Sequence, residues 1–186
     1  MIITIAGAPG SGKTSVAKEL AERLGYNFIS VGDLLGQIAI ERKITADELK
    51  AMGPEADRLI DAKQIEFAKT HEDGIIEGWI SWKLIPDSFK ILVTVDPDEG
   101  ARRVFAETQS RDGKRQDERM YESVEDAKRT LAKRVENHLK RMQEVHGIDC
   151  ILKPENFDFV LDTTDSPGPT QNADKIMDAM RRRGLI

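Results

Sequence analysis

The chain has 186 residues, 33% of them charged and 39% hydrophobic, and carries a formal net charge of −5. This length suits a single domain with a sizeable apolar core, and the mildly acidic balance, with both signs interspersed, argues against a nucleic-acid partner. One cysteine, Cys150, excludes an intrachain disulfide, and no apolar stretch approaches the ~20 residues of a membrane span.

The first element is the β-branched run Ile2, Ile3, Thr4, Ile5, which reads as a buried strand. No basic leader precedes it, so a cytoplasmic protein without a membrane partner is expected. Residues 7 to 14 then read GAPGSGKT, a complete G-x-x-x-x-G-K-[ST] phosphate-binding loop. Val16, Ala17, Leu20, Ala21 and Leu24 follow at helical spacing, so the loop joins a strand to a helix, the context that makes this motif specific. Gly7, Ala8, Pro9, Gly10, Ser11, Gly12, Lys13, Thr14 and Ser15 are expected to wrap a polyphosphate. Gly7, Gly10 and Gly12 would sit at positive φ and aim backbone N–H groups inward at a helix N-terminus. Lys13 reaches the β and γ phosphates and the Thr14 hydroxyl is placed to ligate Mg²⁺. ATP and Mg²⁺ are the cofactors this predicts.

Beyond the first helix, Gly25 reads as a C-terminal cap and Tyr26 to Ser30 as a strand. Residues 34 to 41 and 46 to 69 read as helices around a turn at 42 to 45. Strands are expected at 75 to 77, after the Asp73-Gly74 turn, at 91 to 95, ending in Asp96-Pro97, and at 159 to 161. Strands alternating with helices predict an α/β fold with a parallel five-stranded sheet. His71, His138 and His146 show no metal-ligand spacing and read as surface histidines.

The segment from Gln109 to Arg119 is almost wholly polar and carries Arg111, Lys114, Arg115 and Arg119. It cannot pack into a core and suits a basic lid over phosphate groups. From Ser123 to His146 runs a long helix, capped by Ser123 with Asp126 three residues on. Arg134 and Arg141 stand seven residues apart, on one stripe, and are expected to reach one phosphate cluster as catalytic charges.

The order of these parts resembles the nucleoside monophosphate kinases, most closely the archaeal-type cytidylate kinases. The resemblance rests on the MIITIAGAPGSGKT opening, SVGD at Ser30 to Asp33, IEG at Ile76 to Gly78, HLKRMQEVHGID on the long helix, and the closing FVLDTTDSP. It covers nearly the whole chain and implies a P-loop kinase core with an acceptor-binding insert at 34 to 70 and a lid at 109 to 122. Ser30 and Asp33 would flank the acceptor nucleotide, Glu77 would order water on Mg²⁺, and Asp162 to Asp165 would lie near the ATP base. Gly36 and Trp79 stand where the family carries arginines that grip the acceptor phosphate. Arg42, Arg58 and Lys83 are candidates to supply that charge, and Trp79 or Trp82 to stack on a base.

The expected activity is ATP-dependent phosphorylation of a nucleoside monophosphate, CMP or dCMP foremost, by a monomer whose partners are its nucleotides. An adenylate-kinase-like or other small-molecule P-loop kinase is the alternative acceptor reading, and a nucleotide-binding regulatory protein without turnover is the alternative of another class.

Overall fold

The computed structural model describes residues 1–110 and 120–186. Five strands, Ile2–Gly7 (β1), Asn27–Ser30 (β2), Gly74–Glu77 (β3), Phe89–Thr94 (β4) and Phe159–Asp162 (β5), pair in parallel in the order β2-β3-β1-β4-β5. Their uninterrupted apolar runs fit this: a parallel sheet is covered by helices on both faces, so alternation disappears. Ile3, Ile5, Ile75, Ile91 and Val93 are fully buried.

The helices are Lys13–Leu24 (α1), Val31–Arg42 (α2), Ala46–Ala51 (α3), Pro54–Thr70 (α4), Ser81–Leu84 (α5), Pro97–Ser110 (α6), Val124–His146 (α7) and Pro169–Arg182 (α8). Val16 and Leu20 of α1 join Ile176 and Met180 of α8 in the main core against the sheet. The insert has a core of its own, in which Ile38 and Ala39 of α2 meet Leu49 of α3 and Ala56 and Ile60 of α4. Helix α7 is held at both ends. Ala127 and Leu131 pack on Ala101 of α6, and Met142 packs with Trp79, Ile80 and Ile151. Its middle therefore spans the crevice outside the C-terminal strand ends, where ligands bind in such sheets.

The expected fold class is the observed one, with local differences. The single helix read over 46 to 69 is two, because Gly53 takes φ 58° and Pro54 sits at the first helical position, without an N–H to continue α3 into α4. Thr45 starts α3 with a complete capping box. Helix α2 begins at Val31 rather than 34, capped by the Ser30 side chain. Asp96-Pro97, read as a strand end, also opens α6, with Asp96 Oδ1 accepting from the amides of Asp98 and Glu99. Since α6 runs to Ser110, residues 109 and 110 of the expected lid are helical. Arg111, Lys114, Arg115 and Arg119 lie outside the described residues. Among the described residues no helix is long and apolar enough to cross a membrane.

Candidate active site

The phosphate loop leaves β1 at the sheet's C-terminal edge and enters α1 at Lys13. The first hydrogen bond into the helix runs from Val16 N to Gly12 O, leaving the amides of Lys13, Thr14 and Ser15 without intrahelical partners, as an anion site requires. Positive φ occurs at Gly10 and Gly12 but not at Gly7. Gly7 is required for another reason: a Cβ there would stand 2.4 Å from the Val93 carbonyl oxygen on β4. At Gly10 a Cβ would meet the Gly100 oxygen at 2.3 Å, so the loop lies directly on the first turn of α6. Thr163 Oγ1 lies 3.0 Å from the Ser11 carbonyl and 2.9 Å from that of Thr94, tying the loop to the end of β4.

Glu77, the last residue of β3, faces the loop and is buried. Its Oε2 accepts the Thr14 hydroxyl at 2.9 Å and its Oε1 stands 3.7 Å from Lys13 Nζ. Burial pushes the Lys13 ammonium below its ordinary pKa, Glu77 opposes this, and the nearby Arg134 guanidinium adds to the depression. A buried ammonium with a single carboxylate beside it is ready for a second anion. The Thr14 hydroxyl and Glu77 carboxylate are adjacent hard oxygen donors. That donor set suits Mg²⁺, which binds through one or two protein oxygens, nucleotide phosphates and water.

Helix α7 carries Arg134 and Arg141. Arg134, exposed, lowers the Lys13 pKa through its charge and has no ion-pair or hydrogen-bond partner among the described residues. Arg141, two turns on, faces the insert, its Nε 3.3 Å from Asp57 Oδ2 on α4. Both act through their charge on His138, which lies between them on the same stripe.

His138 lies on that stripe, and neither it nor His146 is a surface residue. The Arg141 guanidinium donates to His138 Nδ1 at 3.1 Å, and the Trp79 ring tilts against the imidazole with centroids 4.6 Å apart. Burial, then Arg141, Arg134 and His146, push the pKa of His138 down to about 4. His146 Nε2 stands 3.3 Å from Asp61 Oδ2, both side chains largely buried. Burial, reinforced by Asp57 and opposed by His146, pushes Asp61 up to about 6. His71 is half-buried and stacked on Phe67. Among the described residues Asp57 Oδ2, His138 Nε2 and His146 Nε2 are buried without a hydrogen-bond partner. The α4–α7 seam is thus polar and incompletely satisfied. Sequence reasoning missed Asp57, Asp61 and His138, although 57, 61 and 64 on one helix and 134, 138 and 141 on the other follow the i, i+4, i+7 spacing that shares a face.

The other expected acceptor residues occupy varied surroundings. Ser30 and Asp33 bond to each other as the cap of α2, Ser30 Oγ donating to Asp33 Oδ2 at 2.7 Å. Arg42 pairs with Glu55 at 3.6 Å on the surface, and Arg58 is exposed. Trp79 is half-buried in an apolar cluster with Ile80, Leu139 and Met142. Trp82 donates to the Ile151 carbonyl and packs on Phe157, ordinary structural contacts. A side chain at Gly36 would enter open space. On the opposite flank, Arg103 of α6 donates to the carbonyls of Thr163 and Thr164 at 2.7 and 2.9 Å, fixing the loop after β5.

The family model of the Cytidylate kinase-like family matches residues 2–165. A cytidylate kinase of Methanothermobacter thermautotrophicus is 34% identical over 166 residues, covering 88% of this chain and 95% of that relative. One from Archaeoglobus fulgidus is 38% identical over 134 residues, 67% of this chain and 72% of that protein. Among solved structures, an uncharacterized protein from Eubacterium ventriosum superposes with a TM-score of 0.69 at 16% identity, covering 97% of this chain and 98% of its own. Shikimate kinase from Acinetobacter baumannii gives 0.60 at 15% identity, covering 100% and 95%. At such identities the two structures speak for the fold alone.

Proposed function

We propose, from the premise that the chain belongs to the cytidylate kinase-like family, that it transfers the γ-phosphoryl group of ATP to the phosphate of CMP or dCMP. The observation that carries this is the placement of Glu77, whose one carboxylate meets both the Thr14 hydroxyl and the Lys13 ammonium at the mouth of the phosphate loop.

The reaction is an in-line displacement between phosphate oxygens. The acceptor phosphate is already anionic near neutral pH, so the protein supplies alignment and charge neutralisation rather than a strong base. In this reading the loop amides and Lys13 hold the β and γ phosphates, and Arg134 meets the charge that spreads over the transferring group. Thr14 and, through water, Glu77 would hold Mg²⁺, which when bound with the nucleotide neutralises its β and γ oxygens. Residues 34 to 70 carry the acceptor site, within the single kinase domain, and a lid from 109 to 122 with Arg111, Lys114, Arg115 and Arg119 excludes water from it. Arg141, beside Asp57 of the insert, adds a cation on the acceptor side. The nucleotide substrates of this reading assign the protein to the cytoplasm.

The test is ATP consumption measured by a coupled assay against CMP, dCMP, UMP, AMP and shikimate. Preferred turnover of CMP or dCMP supports the assignment. Preference for AMP or for the alcohol overturns the acceptor and leaves a P-loop kinase of other specificity. Tight ATP binding with no turnover of any acceptor would favour a regulatory protein.

A further inference from the structure

We propose that His138 binds the acceptor nucleotide, its Nε2–H donating a hydrogen bond to the acceptor's phosphate from a place between Arg134 and Arg141. The proposal rests on the kinase reading above but not on the identity of the base.

Three observations carry it. The first is position. Arg134, His138 and Arg141 are spaced i, i+4, i+7 on α7, so they share one stripe. At one end of that stripe Arg134 lies within electrostatic reach of Lys13, and at the other Arg141 pairs with Asp57 of the insert. Four residues of helix span about 6 Å, so His138 stands one step from the γ-phosphate site toward the acceptor insert. That is where the acceptor phosphate must lie for in-line attack.

The second is the tautomer. A guanidinium only donates hydrogen bonds, so the contact from Arg141 to His138 Nδ1 at 3.1 Å requires Nδ1 to be an acceptor. The ring proton is then on Nε2, and the imidazole is neutral, in keeping with the depression of its pKa by burial, Arg141, Arg134 and His146. The side chain is fixed as a donor toward whatever faces Nε2.

The third is that no acceptor meets that donor. Nε2 is buried and has no hydrogen-bond partner among the described residues, while the Trp79 ring lies against the same imidazole. A sealed donor without an acceptor is costly to an empty protein, and an acceptor phosphate on this stripe would offset that cost. Trp79 also occupies the position where the family resemblance expects a phosphate-gripping arginine. The donor that a guanidinium would have offered from the end of β3 is supplied across the crevice by the histidine that Trp79 packs on.

The experiment compares His138→Leu with His138→Gln, whose side-chain amide restores a donor near the Nε2 position. Both are assayed with CMP, or with whichever monophosphate the wild type prefers, so that a wrong base does not decide the outcome. His138→Leu is expected to raise the acceptor KM roughly 10-fold or more while the KM for ATP stays within about twofold, and His138→Gln to recover most of the loss. Nitrogen-15 spectra of the wild-type imidazole supply an independent readout. They should show a protonated Nε2 and an unprotonated Nδ1, and the Nε2 signal should shift on adding CMP but not cytidine. Equal rises in both KM values, failure of Gln to recover, or an Nε2 signal that ignores CMP would each overturn the proposal. A shift with cytidine as large as with CMP would also overturn it, since the contact would then be to the nucleoside.

Discussion

The Thr14 hydroxyl and the Lys13 ammonium converge on one carboxylate, Glu77, with Oε2 2.9 Å from the first and Oε1 3.7 Å from the second. Glu77 ends β3, and Lys13 and Thr14 open α1 after the loop that leaves the neighbouring parallel strand β1, so the sheet register that pairs Ile5 with Glu77 sets the geometry. Lys13→Ala removes a charge whose contact strengthens as the phosphoryl group departs. Turnover should fall by about 10²–10³ or more, with a native circular dichroism spectrum. Glu77→Gln keeps the shape and an acceptor for Thr14 but leaves Lys13 without its counter-charge, so activity should fall and need more Mg²⁺ for half-maximal rate. Near-normal kcat in Lys13→Ala would sink the mechanism.

Arg134 and Arg141 should separate in kinetics as they do in space. Arg134 acts on Lys13 through its charge, so Arg134→Ala should lower kcat by roughly 10³-fold or more while nucleotide affinity changes little. Arg141 holds Asp57 and His138, so Arg141→Ala should chiefly raise the acceptor KM. Steady-state kinetics with each substrate varied in turn checks this. Identical profiles for the two variants would mean that the stripe is not divided between donor and acceptor phosphates.

Most of the nucleotide half of this site is legible in the sequence, because Lys13, Thr14 and the glycines lie in one contiguous motif whose geometry is set locally. Glu77 is legible only through the IEG resemblance. The acceptor half depends on which faces of α4 and α7 meet, and no local pattern states that Asp57 and Asp61 oppose Arg141 and His146. The histidines are hard to read for the same reason: His138 packs on Trp79, which is far from it in sequence. The break at Gly53-Pro54 was readable from local turn chemistry and was overridden by the helical periodicity on either side.

The two positions that depart from the family should respond differently to restoration. Gly36 is inside α2 with open space where a side chain would go, whereas Trp79 is packed against His138, Leu139 and Met142. Gly36→Arg should therefore lower the KM for CMP, by roughly 10-fold if the guanidinium reaches the phosphate, with the ATP KM unchanged. Gly36→Ala is the control: it should stabilise the helix by about 0.5–1 kcal/mol and leave KM alone. Trp79→Arg adds charge but opens the cluster, so it should lower Tm by several degrees as it acts. An unchanged CMP KM in Gly36→Arg would show that α2 does not border the acceptor phosphate.

Asp61 gives a pH dependence whose sign is set by its environment. Its pKa is raised to about 6, by burial first and by Asp57, against the attraction of His146. A raised pKa means that the folded protein holds this proton more tightly than the unfolded chain does. The associated stability is complete below the unfolded value near 4 and is lost as pH rises through about 6. His138, depressed to about 4, works in the opposite sense, its contribution present above about 6.5 and lost as pH falls toward 4. In Asp61→Asn the first contribution vanishes and the second remains. Relative to the wild type, the variant should be nearly equal in stability at pH 4 and more stable at pH 7, by on the order of 2 kcal/mol or a few degrees in Tm. Urea titrations of both proteins across this range check it. A wild type that gains on the variant as pH rises would mean that the His146 ion pair outweighs burial, and that the α4–α7 seam is held by charge rather than strained by it.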